Sequence, residues 1–173
     1  MTRLAALTLA LSMLAAGCGN TSRPPTAAET TATSTSRTHA VTATALRAGV
    51  ASALRANDKL AVQVLWTNRV PASASQSTRG PALAGMRSSA QKRQKSKLRV
   101  RTLRDRTRVV SIQLDPSYAS ATAVVQSDER VAPSNLAGVR ISKPIELDER
   151  ARIDLHRIGA STHFVVWRLT VIK

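Results

Sequence analysis

The chain has 173 residues, enough for one ordinary domain with additions, and its 43% hydrophobic content suffices for a core. Only Trp66, Tyr118, Phe164 and Trp167 are aromatic, so that core is aliphatic and a base-stacking nucleic-acid surface is disfavoured. The formal net charge of +16, from 26 Lys and Arg against 10 Asp and Glu, selects anionic partners: phospholipid headgroups, wall polymers or nucleic acid.

The chain opens MTRLAALTLALSMLAAGCGN, with a basic start at Arg3, an apolar run from Leu4 to Ala16 and then small residues. That run is too short for a comfortable membrane span and follows secretory-signal grammar. Cys18 is the only cysteine and sits at the signal boundary, with no disulfide partner and no neighbouring base to activate it. The ending AAGC resembles the bacterial lipoprotein lipobox, with Ala15 where leucine is commonest. The resemblance implies a signal peptide over residues 1–17, cleavage between Gly17 and Cys18, and a diacylglyceryl anchor with a further acyl chain such as palmitate on Cys18. Two acyl chains meet the requirement for stable anchoring, here at the extracytoplasmic face of the cell membrane. A lipidated Cys18 leaves the mature fold without thiol chemistry or cysteine-ligated zinc.

From Gly19 to about Val41, Thr, Ser, Ala and Pro dominate without apolar periodicity. Such a stretch buries too little surface to offset its ordering entropy, so residues 18–41 read as a lipidated cysteine and a disordered tether. His39 lies within it.

A folded domain is predicted over residues 42–173. Leu46, Val50 and Leu54 recur every four residues, and Leu60, Ala61, Val64 and Leu65 continue a helical stripe capped by Thr42 or Thr44. Asn57-Asp58 is a candidate break between two helices. Pro71 and the polar loop ASASQSTRG follow. A further helix is expected from about Pro81 to Gln94, marked by Leu83 and Met86, with Pro81 in its first turn. The remainder reads as strands: LRVRTL, then RVVSIQL after RDRT, a turn at Asp115-Pro116-Ser117, SATAVVQSDERV, a loop holding Pro133 and Gly138, IELDERARIDL, and HFVVWRLTVI. Helices followed by antiparallel strands define an α+β class, with N-terminal helices on one face of a curved, cone-like sheet of about four to six strands.

Positive charge concentrates from Arg87 to Arg108, with Asp105 the only acid there. Lys92, Arg93, Lys95, Lys97, Arg99 and Arg101 are the candidate residues for an anionic surface, such as phospholipid or wall polymer; the plainer reading is a solvated helix end and strand face. Asp128-Glu129 and Asp148-Glu149 each precede an arginine and read as local ion pairs.

The stretch IDLHRIGASTHFVVW raises a chemical question. A two-residue Gly159-Ala160 turn puts His156 opposite His163 with Asp154 on the same face, a possible metal set. That register buries charge or exposes a stripe including Trp167. A slip by one, through Gly159-Ala160-Ser161 or a bulge, pairs Leu155 with Val165, Ile153 with Trp167 and Ala151 with Leu169, and points the histidines apart. The slipped register is preferred, and no metal or other cofactor is expected. Asp154 and His156 remain a candidate acid/base pair at i, i+2, with Tyr118 and Asp58 as further candidates.

The element order over 42–173, its length and the stretch GPALAGMRSSA leading into a strand resemble the nuclear-transport-factor-like (SnoaL-like, cystatin-like) cone fold. The chain also resembles lipoproteins of high-GC Gram-positive bacteria. The fold resemblance implies two functional classes. One is a non-catalytic module binding a ligand or an envelope protein. The other is a small isomerase, cyclase or dehydratase with an Asp/His pair in an apolar pocket; the fold alone decides neither.

Overall fold

The computed structural model of the chain describes residues 41–172, within a compact unit spanning Val41–Lys173. The expectations for Gly17, Cys18 and the tether up to residue 40 lie outside the described residues.

The first helix, α1 (Ala43–Thr67), starts where the Thr42 side chain accepts the Ala45 amide at 3.2 Å. It is one uninterrupted helix, not the two that a break at Asn57-Asp58 would give. Asn57 has a tertiary partner that offsets its poor helix propensity. The buried Thr78 hydroxyl donates to Asn57 Oδ1 at 2.8 Å. Asp58 continues the four-residue spacing of Leu46, Val50 and Leu54, so it lies on the same helix face. The helix ends at Asn68, in a left-handed conformation (φ 54°), whose amide donates to the Val64 carbonyl.

A 3-10 turn over Ala72–Gln76 occupies part of the expected loop. Helix α2 (Gly80–Lys95) exceeds the expected span by one residue at each end. The expected strands LRVRTL and RVVSIQL are a single strand, β1 (Leu98–Leu114). RDRT does not break it, because Arg104, Asp105, Arg106 and Thr107 all pair with the second strand, β2 (Ser120–Asn135). Leu103 and Val110 are the extra residues of two bulges, which absorb the irregular apolar spacing. Strands β3 (Ile145–Arg157) and β4 (Phe164–Ile172) complete an antiparallel sheet in the order β1-β2-β3-β4. The protein is therefore α+β, with two α-helices and a four-stranded open sheet.

The β3–β4 register differs from both predicted ones. Arg157 pairs with Phe164, His156 with Val165 and Leu155 with Val166; beyond a bulge, Asp154 pairs with Arg168, Ile153 with Leu169 and Ala151 with Val171. The connection is longer than three residues, because Ile158 and His163 close it with a backbone hydrogen bond of 2.8 Å. Within it the Arg157 side chain donates to the carbonyls of Ala160 and Ser161. Trp167 is the extra residue of the bulge, so Phe164, Val166 and Leu169 all reach the core.

One sheet face carries that core. Leu46, Val50, Ala53 and Leu54 of α1 pack on Ala121, Ala123, Val125, Ala151, Ile153, Leu155, Phe164 and Val166, with Ile112 and Leu114 at the side. A second cluster, Leu60, Val64, Ala74, Leu83 and Ala90, joins α1 to α2. Gly49 lies directly on the β3–β4 connection: a Cβ there would stand 2.0 Å from the Thr162 carbonyl oxygen. Trp66, near the other end of α1, lies against Gly138 in the β2–β3 connection. Helix α1 thus runs from one end of the sheet to the other.

Candidate functional site

Among the predicted cationic residues, Lys92, Lys95, Lys97 and Arg101 are exposed around the α2–β1 junction, and none of them enters an ion pair among the described residues. Arg93 is different. It is buried, its Nε donates to Asn68 Oδ1 at 3.0 Å and its Nη2 to the Val64 carbonyl at 3.4 Å. It satisfies the carbonyl end of α1, and burial lowers its pKa. It is a structural residue, not an anion contact. Arg99 is half-buried with its guanidinium 5.6 Å from the Trp66 ring centroid, a cation–π contact that holds it at the foot of the sheet. In sequence these two arginines looked the same as their neighbours; only the helix-end carbonyls and the Trp66 face distinguish them.

The predicted acid/base pair is not in the core. Asp154 and His156 alternate with Ile153 and Leu155, so they lie on the sheet face away from the α1 core. Asp154 accepts from Arg152 Nε at 3.3 Å and from Thr122 Oγ1 at 3.4 Å. His156 stacks on Trp167, with ring centroids 4.6 Å apart and planes 8° from parallel. His163 meets the Gln76 carbonyl at 2.9 Å through Nε2. The two histidines thus have separate partners, and no cluster of three or more His, Cys, Asp or Glu suited to a metal occurs among the described residues. Tyr118 is exposed in a left-handed turn (φ 58°) after Asp115, whose carboxyl the Ser117 hydroxyl and amide hold below its usual pKa.

The local ion pairs expected at Asp128-Glu129 and Asp148-Glu149 do not occur among the described residues; of those four acids only Asp128 enters an ion pair, and it does so across strands. Arg104 binds Asp128 and Glu146, both at 2.7 Å, and Arg130 binds Glu146 at 3.2 Å. Glu129 belongs to a different group, one the sequence reading missed. Asp105 and Glu129 are register partners on the face that carries the core, with Thr107, Ser127 and Glu149 on the next rung. Asp58 comes down on them from α1. Burial, then the charge of Asp105 and a hydrogen bond to it, pushes the Asp58 carboxyl up to about 6. Burial, followed by Asp105, Asp58 and Glu149, pushes Glu129 up to about 7. Raised this way, the Asp58 and Glu129 carboxyls can accept or release a proton near neutral pH. The spacing Leu46-Val50-Leu54-Asp58, taken with the strand alternation Val125-Ser127-Glu129, was the available signal.

Neither of two hollows among the described residues is lined by these acids. One, of about 380 Å³, lies on the outer sheet face between Arg106, Arg108, Gln126, Asp128 and Asp148. The other, of about 240 Å³, lies between α1 and the β3–β4 connection and includes Ser52, Gln76, Thr162 and His163. No helix among the described residues is long and apolar enough to cross a membrane.

No protein-family model and no curated protein matches the chain. Solved structures do match, among them the intermembrane space region of the chloroplast protein ARC6, with a TM-score of 0.61 at 10% identity, covering 71% of this chain and 93% of that one. At that identity the likeness is one of fold.

Proposed function

We propose that this chain is a lipoprotein, anchored through Cys18 at the extracytoplasmic face of the cell membrane, whose residues 42–173 form a non-catalytic binding module of the cone-shaped nuclear-transport-factor-like kind. The observation that carries the reading is the gathering of exposed, unpaired Lys92, Lys95, Lys97 and Arg101 at one end of the fold. A cationic end on a tethered domain is attracted to the anionic lipid or wall polymer beside it. An envelope protein is a further partner of the module; nucleic acid does not fit the compartment. The lipobox-like AAGC supports the anchor. Its test is labelling of cells with radioactive palmitate: label on the native chain and none on the Cys18→Ala chain is expected, and an unlabelled native chain contradicts lipidation.

One observation favours the second reading, a small SnoaL-like enzyme. Asp58, Asp105 and Glu129 supply a desolvated carboxyl group on the core side, where Asp154 and His156 do not. A small molecule that co-purifies with the native chain and is lost from the Asp58→Asn variant, as read by native mass spectrometry, would support that reading; an empty native chain would count against it.

A further inference from the structure

The connection between β2 and β3 reads LAGVRISKP from Leu136 to Pro144 and contains Arg140 and Lys143 but no acid. Its aliphatic side chains face solvent: Val139 is 61% exposed, Ile141 53% and Leu136 41%, with Ile145 at 43% where β3 begins. Large aliphatic groups clustered at one tip cost free energy in water, so their exposure marks a contact surface.

The tip is held firmly. The Asn135 amide donates to the Val139 carbonyl and the Gly138 amide to the Asn135 carbonyl, both at 2.9 Å; the Val139 amide donates to Asn135 Oδ1 at 2.9 Å and the Ile141 amide to the Pro133 carbonyl at 3.0 Å. Gly138 has a φ of +85° and a Cβ there would meet Trp66 at 3.2 Å, so the tip rests on Trp66. It lies beside the cationic end of the domain: Leu98, next to Lys97, pairs with Asn135, and Arg101 pairs with Ala132.

We infer that the β2–β3 tip is a membrane-inserting wedge, which places Leu136, Val139 and Ile141 below the headgroups of an anionic bilayer while Arg140, Lys143, Lys97 and Arg101 bind the lipid phosphates. Aliphatic groups interleaved with long basic side chains fit an interface in which the stems stay in the apolar layer and the charges stay with the headgroups. A small aliphatic tip whose own charges, Arg140 and Lys143, are both positive matches an anionic bilayer better than it matches a flat protein surface. The inference rests on the anionic-surface reading above and adds insertion to it.

The test uses residues 41–173, which contain every residue of both core clusters, in a Trp167→Phe background so that Trp66 alone reports. Vesicles of phosphatidylcholine with phosphatidylglycerol carry bromine on their acyl chains. The expected result is binding with Trp66 quenching, and a Val139→Ser/Ile141→Ser variant that loses the quenching and binds at least about tenfold more weakly. Because both side chains are exposed, its unfolding transition should match the parent, and the parent's own quenching stands as evidence independent of the variant. Binding that is salt-sensitive but unquenched and unchanged in the double variant overturns insertion while leaving electrostatic adhesion in place. Absence of vesicle binding overturns both, and dimerisation lost in the double variant would assign the tip to a second copy of the chain.

Discussion

The two ends of the sheet share one helix and one strand pattern yet are chemically opposite. Toward the β3–β4 connection, three successive rungs on the core face are aliphatic: Leu114, Ala121 and Leu155; Ile112, Ala123 and Ile153; Val109, Val125 and Ala151. Leu46, Val50 and Leu54 of α1 close over this end. One turn further along α1 and one rung further along the sheet, the same positions hold Asp58, then Thr107, Ser127 and Glu149, then Asp105 and Glu129. Beyond them lie the exposed lysines and the aliphatic tip. The first end supplies cohesion. The second replaces aliphatic groups on the sheet by groups that titrate, attract anions or insert, while α1 packs on α2 there through Leu60 and Val64.

Leu155 is fully buried at the centre of the aliphatic end, so Leu155→Ala should cost about 2–5 kcal/mol of unfolding free energy in denaturant titration. A cost near zero would mean that the contrast between the ends is not energetic. Arg93→Ala leaves the buried Asn68 Oδ1 without its donor and the Val64 carbonyl with only the Asn68 amide, and a loss of about 1–3 kcal/mol is expected by the same measurement. Arg93→Lys should recover part of it, because one charged donor remains. If Arg93→Ala behaved like a surface substitution, Arg93 would return to the cationic surface.

The acidic rung should behave in the opposite sense. Asp58 and Glu129 titrate near 6 and 7 in the folded chain, above the ordinary 3.8 and 4.5. Between those ordinary values and about 7 the folded chain holds protons that the unfolded chain has released, so stability falls as pH rises through that window and is level above it. Asp58→Asn removes one of these groups. Discounted for partial exposure, it should stabilise the domain by about 1–2 kcal/mol near pH 8 and change little near pH 4. Thermal unfolding at both pH values checks this, and a variant destabilised at pH 8 would show that Asp58 is held as a paired charge.

How much of this was legible depends on whether local pattern or tertiary partner decides. Leu46, Val50 and Leu54 announced α1, and alternation announced β3, because one buried face repeats at the period of the element. The break assigned to Asn57-Asp58 failed because Thr78, distant in sequence, engages Asn57, while Asp58 falls on the four-residue spacing of the buried helix face. The strand β1 was divided because RDRT lacks aliphatic groups; it pairs through charged and hydroxyl residues instead. The β3–β4 register was missed by one residue and then by two, since a connection tied by Arg157 and a bulge at Trp167 are set by geometry that apolar matching does not encode. Of the six predicted cationic residues, burial removed Arg93 and Trp66 engaged Arg99, which left four that face solvent freely.

The smallest effect on stability should come from those four. Replacing Lys92, Lys95, Lys97 and Arg101 together by Gln should change the unfolding free energy by no more than about 0.5 kcal/mol per site, because none is paired or buried. Its binding should change most. The decisive measurement is vesicle affinity of residues 41–173 across a range of salt concentrations, for the parent and the four-Gln variant, on membranes containing phosphatidylglycerol. The account predicts steep weakening with salt for the parent and a shallower, weaker dependence for the variant. Equal affinity and equal salt dependence of the two would contradict it.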